Sequence, residues 1–240
     1  MKNRSKIIRS AVFLVLLIAL LGMLWNRYVS DCYLAKSYDV QTKMMEETED
    51  YIIYGDTKSS VGLIFYPGAK VDEAAYAPIM DALAEDGICC VVVKMPYHMA
   101  IFDMNAATDV RKNFSDVKQW YIGGHSMGGA MAADYAAGHE DELAGLILLA
   151  AYPTKELAEL PVLSVYGSED GVLNLKKYQD DIANAKNLTE RMIEGGNHAG
   201  FGNYGEQKGD KTAEIMRDEQ WQETVDYILT FIRDSSEDTE

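Results

Sequence analysis

The stretch that decides the fold is WYIGGHSMGG, residues 120–129. An apolar segment runs directly into GHSMG (124–128), and an alanine-rich segment follows from residue 130. This order matches the pattern G-x-S-x-G between a strand and a helix, where a sharp turn lifts a serine hydroxyl above the edge of a sheet. The two glycines leave room for the neighbouring strand and helix, and the start of the helix favours developing negative charge. The pattern predicts Ser126 as a nucleophile.

Short apolar runs alternate with helical patterns on both sides of this turn. The strand candidates lie at 51–54, 61–66, 88–94, 120–123, 145–150, 161–166 and 189–193. Several are continuous apolar runs, which is typical of strands buried on both faces. Apolar side chains with the spacing of one helical face recur in 76–83 and 221–232. The sequence therefore predicts the α/β class, with a mostly parallel central sheet and helices on both faces.

The serine turn and its surroundings resemble the α/β-hydrolase superfamily over roughly residues 51–233. A serine nucleophile needs a base, and in this family the order along the chain is serine, acid, histidine. The chain has four histidines: His98, His125, His139 and His198. Only His198 lies downstream of a suitable acid, in the glycine-rich stretch EGGNHAGFG (194–202). We therefore expect His198 to be the base.

The acid is expected in GSEDG (167–171), directly after the strand candidate 161–166. The family's G-x-x-D turn implies Asp170, which would fix the tautomer of His198 and stabilise the imidazolium. Glu169 is the alternative, because one step of register exchanges the two side chains.

Two backbone N–H groups are needed to stabilise the oxyanion of an acyl-transfer intermediate. One is expected from Met127, the residue after the nucleophile. The other is expected from the loop after strand 61–66, at Ala69, with Gly68 as the next choice. The family's His-Gly motif is matched there only in part, because Pro67 stands in place of the histidine. Lys70 favours an anionic substrate if it faces the pocket, and is otherwise a surface lysine.

The resemblance implies a small, uncapped serine hydrolase that cleaves an ester or thioester through an acyl-enzyme. Residues 151–159 are too few for a large cap. Dienelactone-hydrolase relatives share this layout but use cysteine where this chain has Ser126. An acyltransferase, a peptidase and a non-catalytic surface binding module stay open as alternatives. Metal-ligand spacing, a P-loop and a dinucleotide fingerprint are absent from the sequence. We therefore expect no metal and no cofactor, and a small-molecule or acylated substrate.

Charge is distributed unevenly along the chain. The formal net charge is −16, with 22 Lys+Arg against 38 Asp+Glu. Residues 1–30 hold five basic side chains and no acid, so the rest carries 17 basic against 38 acidic residues, a net −21. Nucleic acid is excluded as a partner, because binding phosphates requires a basic face.

The basic end predicts a membrane segment. The run AVFLVLLIALLGMLW (11–25) is non-polar and follows MKNRSKIIRS. Trp25 and Tyr28 lie where an aromatic belt is expected. We predict an uncleaved signal anchor at 1–30 with a cytoplasmic N-terminus, a stalk at 31–50, an extracytoplasmic hydrolase domain at 51–233 and an acidic tail at 234–240. A cleaved secretory signal is the alternative.

Overall fold

The computed structural model describes residues 2–37 and 44–237, which form two compact units. The first unit, which ends at Cys32, consists of helix α1 (Lys2–Ser30) and the turn after it. Within α1, Val12–Ser30 has a mean hydropathy of 2.0, and none of this stretch is buried. The helix is therefore long enough and apolar enough to span a membrane.

The second unit begins at Tyr33, earlier than the predicted domain start at residue 51. Tyr33 is held to the body because its N–H donates to the Lys70 carbonyl at 2.7 Å and its carbonyl accepts from the Asp72 N–H at 3.0 Å. Part of the predicted stalk, residues 38–43, lies outside the described residues.

The body is built on one eight-stranded sheet covered by helices. Its strands are β1 (Met44–Glu47), β2 (Tyr51–Tyr54), β3 (Val61–Tyr66), β4 (Cys89–Val93), β5 (Gln119–His125), β6 (Gly145–Leu149), β7 (Leu157–Gly167) and β8 (Ala185–Ile193). Its α-helices are α2 (Ala77–Glu85), α3 (Ala106–Asn113), α4 (Met127–Ala136), α5 (Leu175–Asp181) and α6 (Arg217–Glu237).

The strand order is β1-β2-β4-β3-β5-β6-β7-β8. The pairs from β4 to β8 are parallel, and β1 and β2 add an antiparallel edge. The predicted fold class is confirmed. In a parallel sheet the carboxyl ends of the strands share one edge, so the loops after β3, β5, β7 and β8 meet there.

Two apolar clusters sandwich the sheet. Side chains of α2 and α6 pack on one face, and those of α3 and α4 pack on the other. Strand β4 shows the alternation that builds both clusters, because Cys90 and Val92 belong to the first and Cys89 and Val91 to the second. Every residue of β4 is buried, which explains the continuous apolar run in its sequence.

The structure differs from the sequence predictions mainly in the lengths of elements. Strand β1 was not predicted, because MMEE carries no alternating or buried pattern. Helix α6 continues to Glu237, so residues 234–237 of the predicted acidic tail extend a helix, while 238–240 lie outside the described residues. The connection from β6 to β7 is short, in agreement with the predicted absence of a large cap.

Candidate active site

Ser126 lies at a sharp turn between strand β5 and helix α4. Its φ is 54° and its ψ is −123°, a backbone conformation that residues other than glycine rarely adopt. A Cβ at Gly124 would lie 2.6 Å from the Gly128 carbonyl carbon, and one at Gly128 would collide with the carbonyl oxygens of Tyr66 and Pro67. Glycine is therefore required at both positions, and the turn holds the serine at the carboxyl edge of the sheet.

His198 and Asp170 form a buried pair. The Nδ1 atom of His198 lies 2.8 Å from Oδ2 of Asp170, and both side chains are almost fully buried. The other oxygen, Oδ1, accepts from the N–H groups of Val172 and Leu173 at 2.8 and 2.7 Å. These bonds satisfy the carboxylate as an acceptor, so it receives the Nδ1 proton and leaves Nε2 as the basic nitrogen.

His198 and Ser126 line one cavity. His198 Nε2 is buried and has no hydrogen-bond partner among the described residues. Ser126, Met127 and His198 line a cavity of ≈ 250 Å³ that opens to the surface. Its other walls are Ala130, Ala150, Ala151, Tyr152, Thr154, Val172, Leu173, Asn174 and Lys177. This arrangement can remove the serine proton and accommodate a small acyl group.

Glu169, the alternative acid, contacts a lysine and not the histidine. Its Oε2 lies 3.4 Å from the Nζ of Lys211, and its side chain is partly exposed. The structure therefore brings Asp170, and not Glu169, to His198.

The two expected oxyanion donors lie on adjoining segments. The loop after β3 packs against the start of α4, since Gly128 faces the carbonyls of Tyr66 and Pro67. The Gly68 N–H donates to the Tyr76 hydroxyl at 2.9 Å, so the second-choice donor is already engaged. The N–H groups of Ala69 and Met127 donate to no acceptor within the described part of the chain. Lys70 has a φ of 61°, and its N–H donates to the His98 carbonyl at 2.8 Å.

Three residues outside the predicted triad and the predicted oxyanion donors organise the site, namely His125, Tyr76 and Asp210. His125 is buried, its Nδ1 lies 2.9 Å from the Tyr76 hydroxyl, and its ring centroid lies 4.6 Å from that of His198. Burial and the neighbouring His198 hold the pKa of His125 well below its ordinary value, so its ring is neutral. The Tyr76 hydroxyl thus connects the Gly68 N–H to His125, the residue before Ser126, through two hydrogen bonds. Its helical spacing had indicated only a packing role.

Asp210 is the third such residue. Its Oδ1 accepts from the Gly171 N–H at 2.9 Å and the His198 N–H at 3.3 Å, and its Oδ2 accepts from the Ala199 N–H at 2.8 Å. One side chain thereby ties the acid loop to the histidine loop. No local sequence signal marks it, because an isolated aspartate in a polar loop resembles any solvated acid.

The remaining two histidines take no part in the site. His98 Nδ1 pairs with Glu73 Oε2 at 3.1 Å. The ring of His139 stacks on that of Tyr135 at a centroid distance of 4.0 Å. Among the described residues, no group of three or more His, Cys, Asp or Glu side chains is arranged to hold a metal ion.

A parallel sheet with a serine elbow at its carboxyl edge and a buried Asp–His pair beside it defines the α/β-hydrolase class. The model of the alpha/beta hydrolase family matches residues 62–222, about two thirds of the chain. The chain belongs to this family, whose members include hydrolase enzymes.

Comparisons with individual proteins agree with this assignment. A Mycobacterium phage D29 protein named as a non-heme haloperoxidase is 29% identical over 103 residues, which are 39% of this chain and 37% of that protein. The chain thus aligns with little more than a third of that curated relative. The structure of Est1E from Butyrivibrio proteoclasticus has a TM-score of 0.58 at 17% identity, covering 80% of this chain and 99% of Est1E. A membrane phospholipase A described as a bacterial virulence factor has a TM-score of 0.59 at 14% identity, covering 93% and 98%.

Proposed function

We propose that this chain is a membrane-anchored serine hydrolase that cleaves a carboxylic ester or thioester outside the cytoplasm. The observation that carries the proposal is the buried Asp170–His198 pair, because His198 lines the same cavity as Ser126 and its Nε2 has no hydrogen-bond partner among the described residues. A base held in this tautomer beside a serine is the arrangement that acyl transfer requires.

The reaction proceeds in two halves. Ser126 Oγ attacks the substrate carbonyl as His198 Nε2 takes its proton, and Asp170 stabilises the imidazolium. The N–H groups of Ala69 and Met127 stabilise the oxyanion. The imidazolium then protonates the leaving group, which departs and leaves an acyl-enzyme. Water attacks the acyl carbonyl with His198 again as base, and the acid and free Ser126 are released.

The cavity favours a small acyl group. Its volume of ≈ 250 Å³ lies below the range of roughly 300–1,000 Å³ that drug-sized ligands occupy. Alanines 130, 150 and 151 line it near the serine, and Tyr152 and Leu173 supply larger apolar surface. We therefore expect short acyl chains to be processed faster than long ones.

A fluorophosphonate probe tests the nucleophile directly. The full chain in detergent should be labelled, and Ser126→Ala should abolish labelling. Ser115→Ala, at an exposed serine, is the matched control and should label like the parent protein. Labelling that survives Ser126→Ala would contradict the assignment of the nucleophile. A folded parent chain that does not react would favour a non-catalytic binding module.

A substrate panel separates the remaining alternatives. Nitrophenyl esters of increasing acyl length, a thioester and an aminoacyl amide should rank with short esters or thioesters first. Preferential cleavage of the amide would favour a peptidase. Transfer of the acyl group to an added alcohol, in excess of hydrolysis, would favour an acyltransferase.

Membrane anchoring is supported by the unburied apolar stretch Val12–Ser30 and by the basic residues that precede it. Positive charge before a spanning helix keeps that end in the cytoplasm, so the acidic body lies on the opposite side. Protease should therefore remove the body from intact cells stripped of any outer wall, without permeabilisation. N-terminal sequencing of the mature protein checks for cleavage, and a start beyond residue 25 would make it a secreted enzyme.

A further inference from the structure

An exposed apolar patch lies on the body at the carboxyl edge of the sheet. It consists of Tyr97, Ile101, Phe102 and Met104, whose exposed fractions are 57%, 51%, 63% and 37%. The rings of Tyr97 and Phe102 contact each other at a centroid distance of 5.8 Å. The patch follows β4, and only β3 separates β4 from β5, the strand that ends directly before Ser126. Large apolar side chains grouped on a surface mark an interaction site.

The backbone of residues 96–104, the patch segment, contains two residues with positive φ. Tyr97 and His98 have φ values of 55° and 51°, which L-residues rarely adopt. The His98 N–H donates to the Met95 carbonyl at 2.8 Å, and the His98 side chain pairs with Glu73. Such a conformation persists only where its surroundings hold it, so the exposure of the patch is built into the fold.

The patch segment and the attachment of the anchor meet at one residue. The Lys70 N–H donates to the His98 carbonyl at 2.8 Å, and the Lys70 carbonyl accepts from the Tyr33 N–H at 2.7 Å. In the sequence, only Asp31 and Cys32 separate Tyr33 from Ser30, the last residue of α1. Three steps along the chain span at most about 11 Å. This short covalent connection therefore tethers Tyr33, and the patch segment bonded to it through Lys70, to the end of α1.

We propose that Tyr97, Ile101, Phe102 and Met104 dock the body onto the surface of the bilayer that holds α1. The inference rests on the proposed membrane anchoring. Aromatic and large aliphatic side chains are the groups that insert at the boundary of headgroups and acyl chains. The tether raises the effective concentration of the patch at the membrane, so even weak insertion persists.

Docking through this patch defines the substrate class. The carboxyl edge of the sheet, which carries Ser126, faces the lipid, and the enzyme takes amphiphilic esters from the bilayer surface. The patch segment, residues 96–104, contains no Lys or Arg, and residues 31–240 carry a net −21. Insertion is therefore apolar in origin, and the preferred surface is zwitterionic or neutral lipid, with little dependence on salt.

A depth measurement tests docking without reference to activity. The full chain, with Cys32→Ser, is labelled with the fluorophore NBD at Phe102→Cys and reconstituted in phosphatidylcholine vesicles containing lipids that bear a nitroxide quencher. Met192→Cys is the matched control, because Met192 is also an exposed apolar side chain but lies on edge strand β8. Leu17→Cys reports whether α1 is inserted.

The three labels separate docking from anchoring. We expect the lipid nitroxide to quench the fluorophore at residues 17 and 102 but not at residue 192. The emission of the fluorophore at residue 102 should also be shifted to the blue. Quenching at 17 without quenching at 102, or equal quenching at 102 and 192, would overturn docking while the anchor stands. Absence of quenching at 17 would overturn the anchor, and docking with it. If two copies crosslink through Phe102→Cys and the fluorophore at residue 102 is not quenched, the partner of the patch is a second copy of this chain and not the bilayer, and docking on lipid is overturned.

A kinetic comparison gives a second readout. Ile101→Ser with Phe102→Ser should leave hydrolysis of a water-soluble short ester unchanged. Hydrolysis of an amphiphilic ester in the same vesicles should fall about tenfold, because two large apolar side chains no longer insert. Met192→Ser should affect neither substrate. Equal loss with both substrates would contradict the proposal, and so would no loss with either.

Discussion

The two halves of the active site are held in different ways. In the nucleophile half, formed by loop 67–72 and the elbow 124–128, backbone packs on backbone and Ser126 keeps a positive φ. In the acid–base half, formed by loops 167–173 and 194–201, polar side chains hold the backbone, with Asp210 bridging both loops. Steric packing leaves no room for an added atom, whereas a hydrogen-bond network loses strength one bond at a time. The first half should therefore fail by misfolding and the second by loss of catalysis.

Asp170→Asn should give the largest effect and leave the fold intact. We expect kcat for a short ester to fall by about 10³–10⁴-fold, because an amide cannot hold His198 in the tautomer that leaves Nε2 free. The amide oxygen can still accept from Val172 and Leu173, so thermal unfolding should change little. Glu169→Gln is the control and should keep kcat within about twofold. A comparable loss in both variants would mean that the acid is misassigned.

Gly128→Ala should instead destabilise the whole body. Its Cβ would collide with the carbonyls of Tyr66 and Pro67, which are backbone atoms that cannot rotate away. The free energy of unfolding should fall by about 3 kcal/mol. At Gly138, just beyond α4, the nearest atom to an added Cβ is the Tyr135 carbonyl oxygen at 3.6 Å. Gly138→Ala should therefore be within about 0.5 kcal/mol of the parent protein in urea denaturation. Similar stabilities for the two variants would remove the steric argument.

Asp210→Asn should reduce catalysis more than substrate binding. The amide retains one acceptor oxygen and directs an NH₂ group at a backbone N–H, which weakens the link between the acid and histidine loops. We expect kcat to fall about tenfold with KM nearly unchanged, because Asp210 does not line the cavity of Ser126. Asp180→Asn, on the exposed face of α5, is the control. A rise in KM with constant kcat would show that Asp210 acts on substrate binding instead.

Glu73→Gln should give the smallest effect, and a pH-dependent one. The hydrogen bond to Glu73 raises the pKa of His98. Burial raises the pKa of Glu73, but the hydrogen bond to His98 acts in the opposite direction, and the pKa of Glu73 is lowered overall. The pKa of His98 is higher in the folded protein than its unfolded value of about 6.5. The pair therefore makes its full contribution to the free energy of unfolding below about pH 6.5. The contribution disappears as pH rises through the folded pKa of His98.

The difference is measurable by urea denaturation in acid and in base. Partial exposure of His98 limits the contribution of the pair to about 0.5 kcal/mol. The parent protein should lose this much more stability than Glu73→Gln between about pH 5.5 and pH 8.5. Identical pH dependence in the two proteins would show that the pair does not contribute to holding the patch segment.

The same contrast explains what could be predicted from the sequence. The elbow is contiguous, so GHSMG between an apolar strand and a small-residue helix predicted the turn at Ser126. The resemblance to the family, through its order of serine, acid and histidine and its G-x-x-D turn, implied His198 and Asp170. In the structure, Nδ1 of His198 lies 2.8 Å from Oδ2 of Asp170, while the catalytic roles of both residues stay predictions.

What could not be predicted depends on contacts between distant residues. Asp210 bonds to Gly171, and Tyr76 bonds to Gly68 and His125, through folding that no local pattern records. The attachment of Tyr33 to Lys70 is likewise a tertiary contact, which is why the body begins before the predicted boundary. Strand β1 forms because β2 offers it a free edge, despite its unremarkable sequence.

The alternation along β4 has a consequence for where the enzyme can work. Cys89 and Cys90 are free thiols on opposite faces of one strand, so the sheet itself separates the two sulfurs. Burial raises the pKa of Cys89 to about 11 and that of Cys90 well above its ordinary value. The thiolate, which is the nucleophile that attacks oxidants and disulfides, is therefore scarce in both. Neither of these two thiols therefore makes the fold of the body depend on the redox conditions of its compartment.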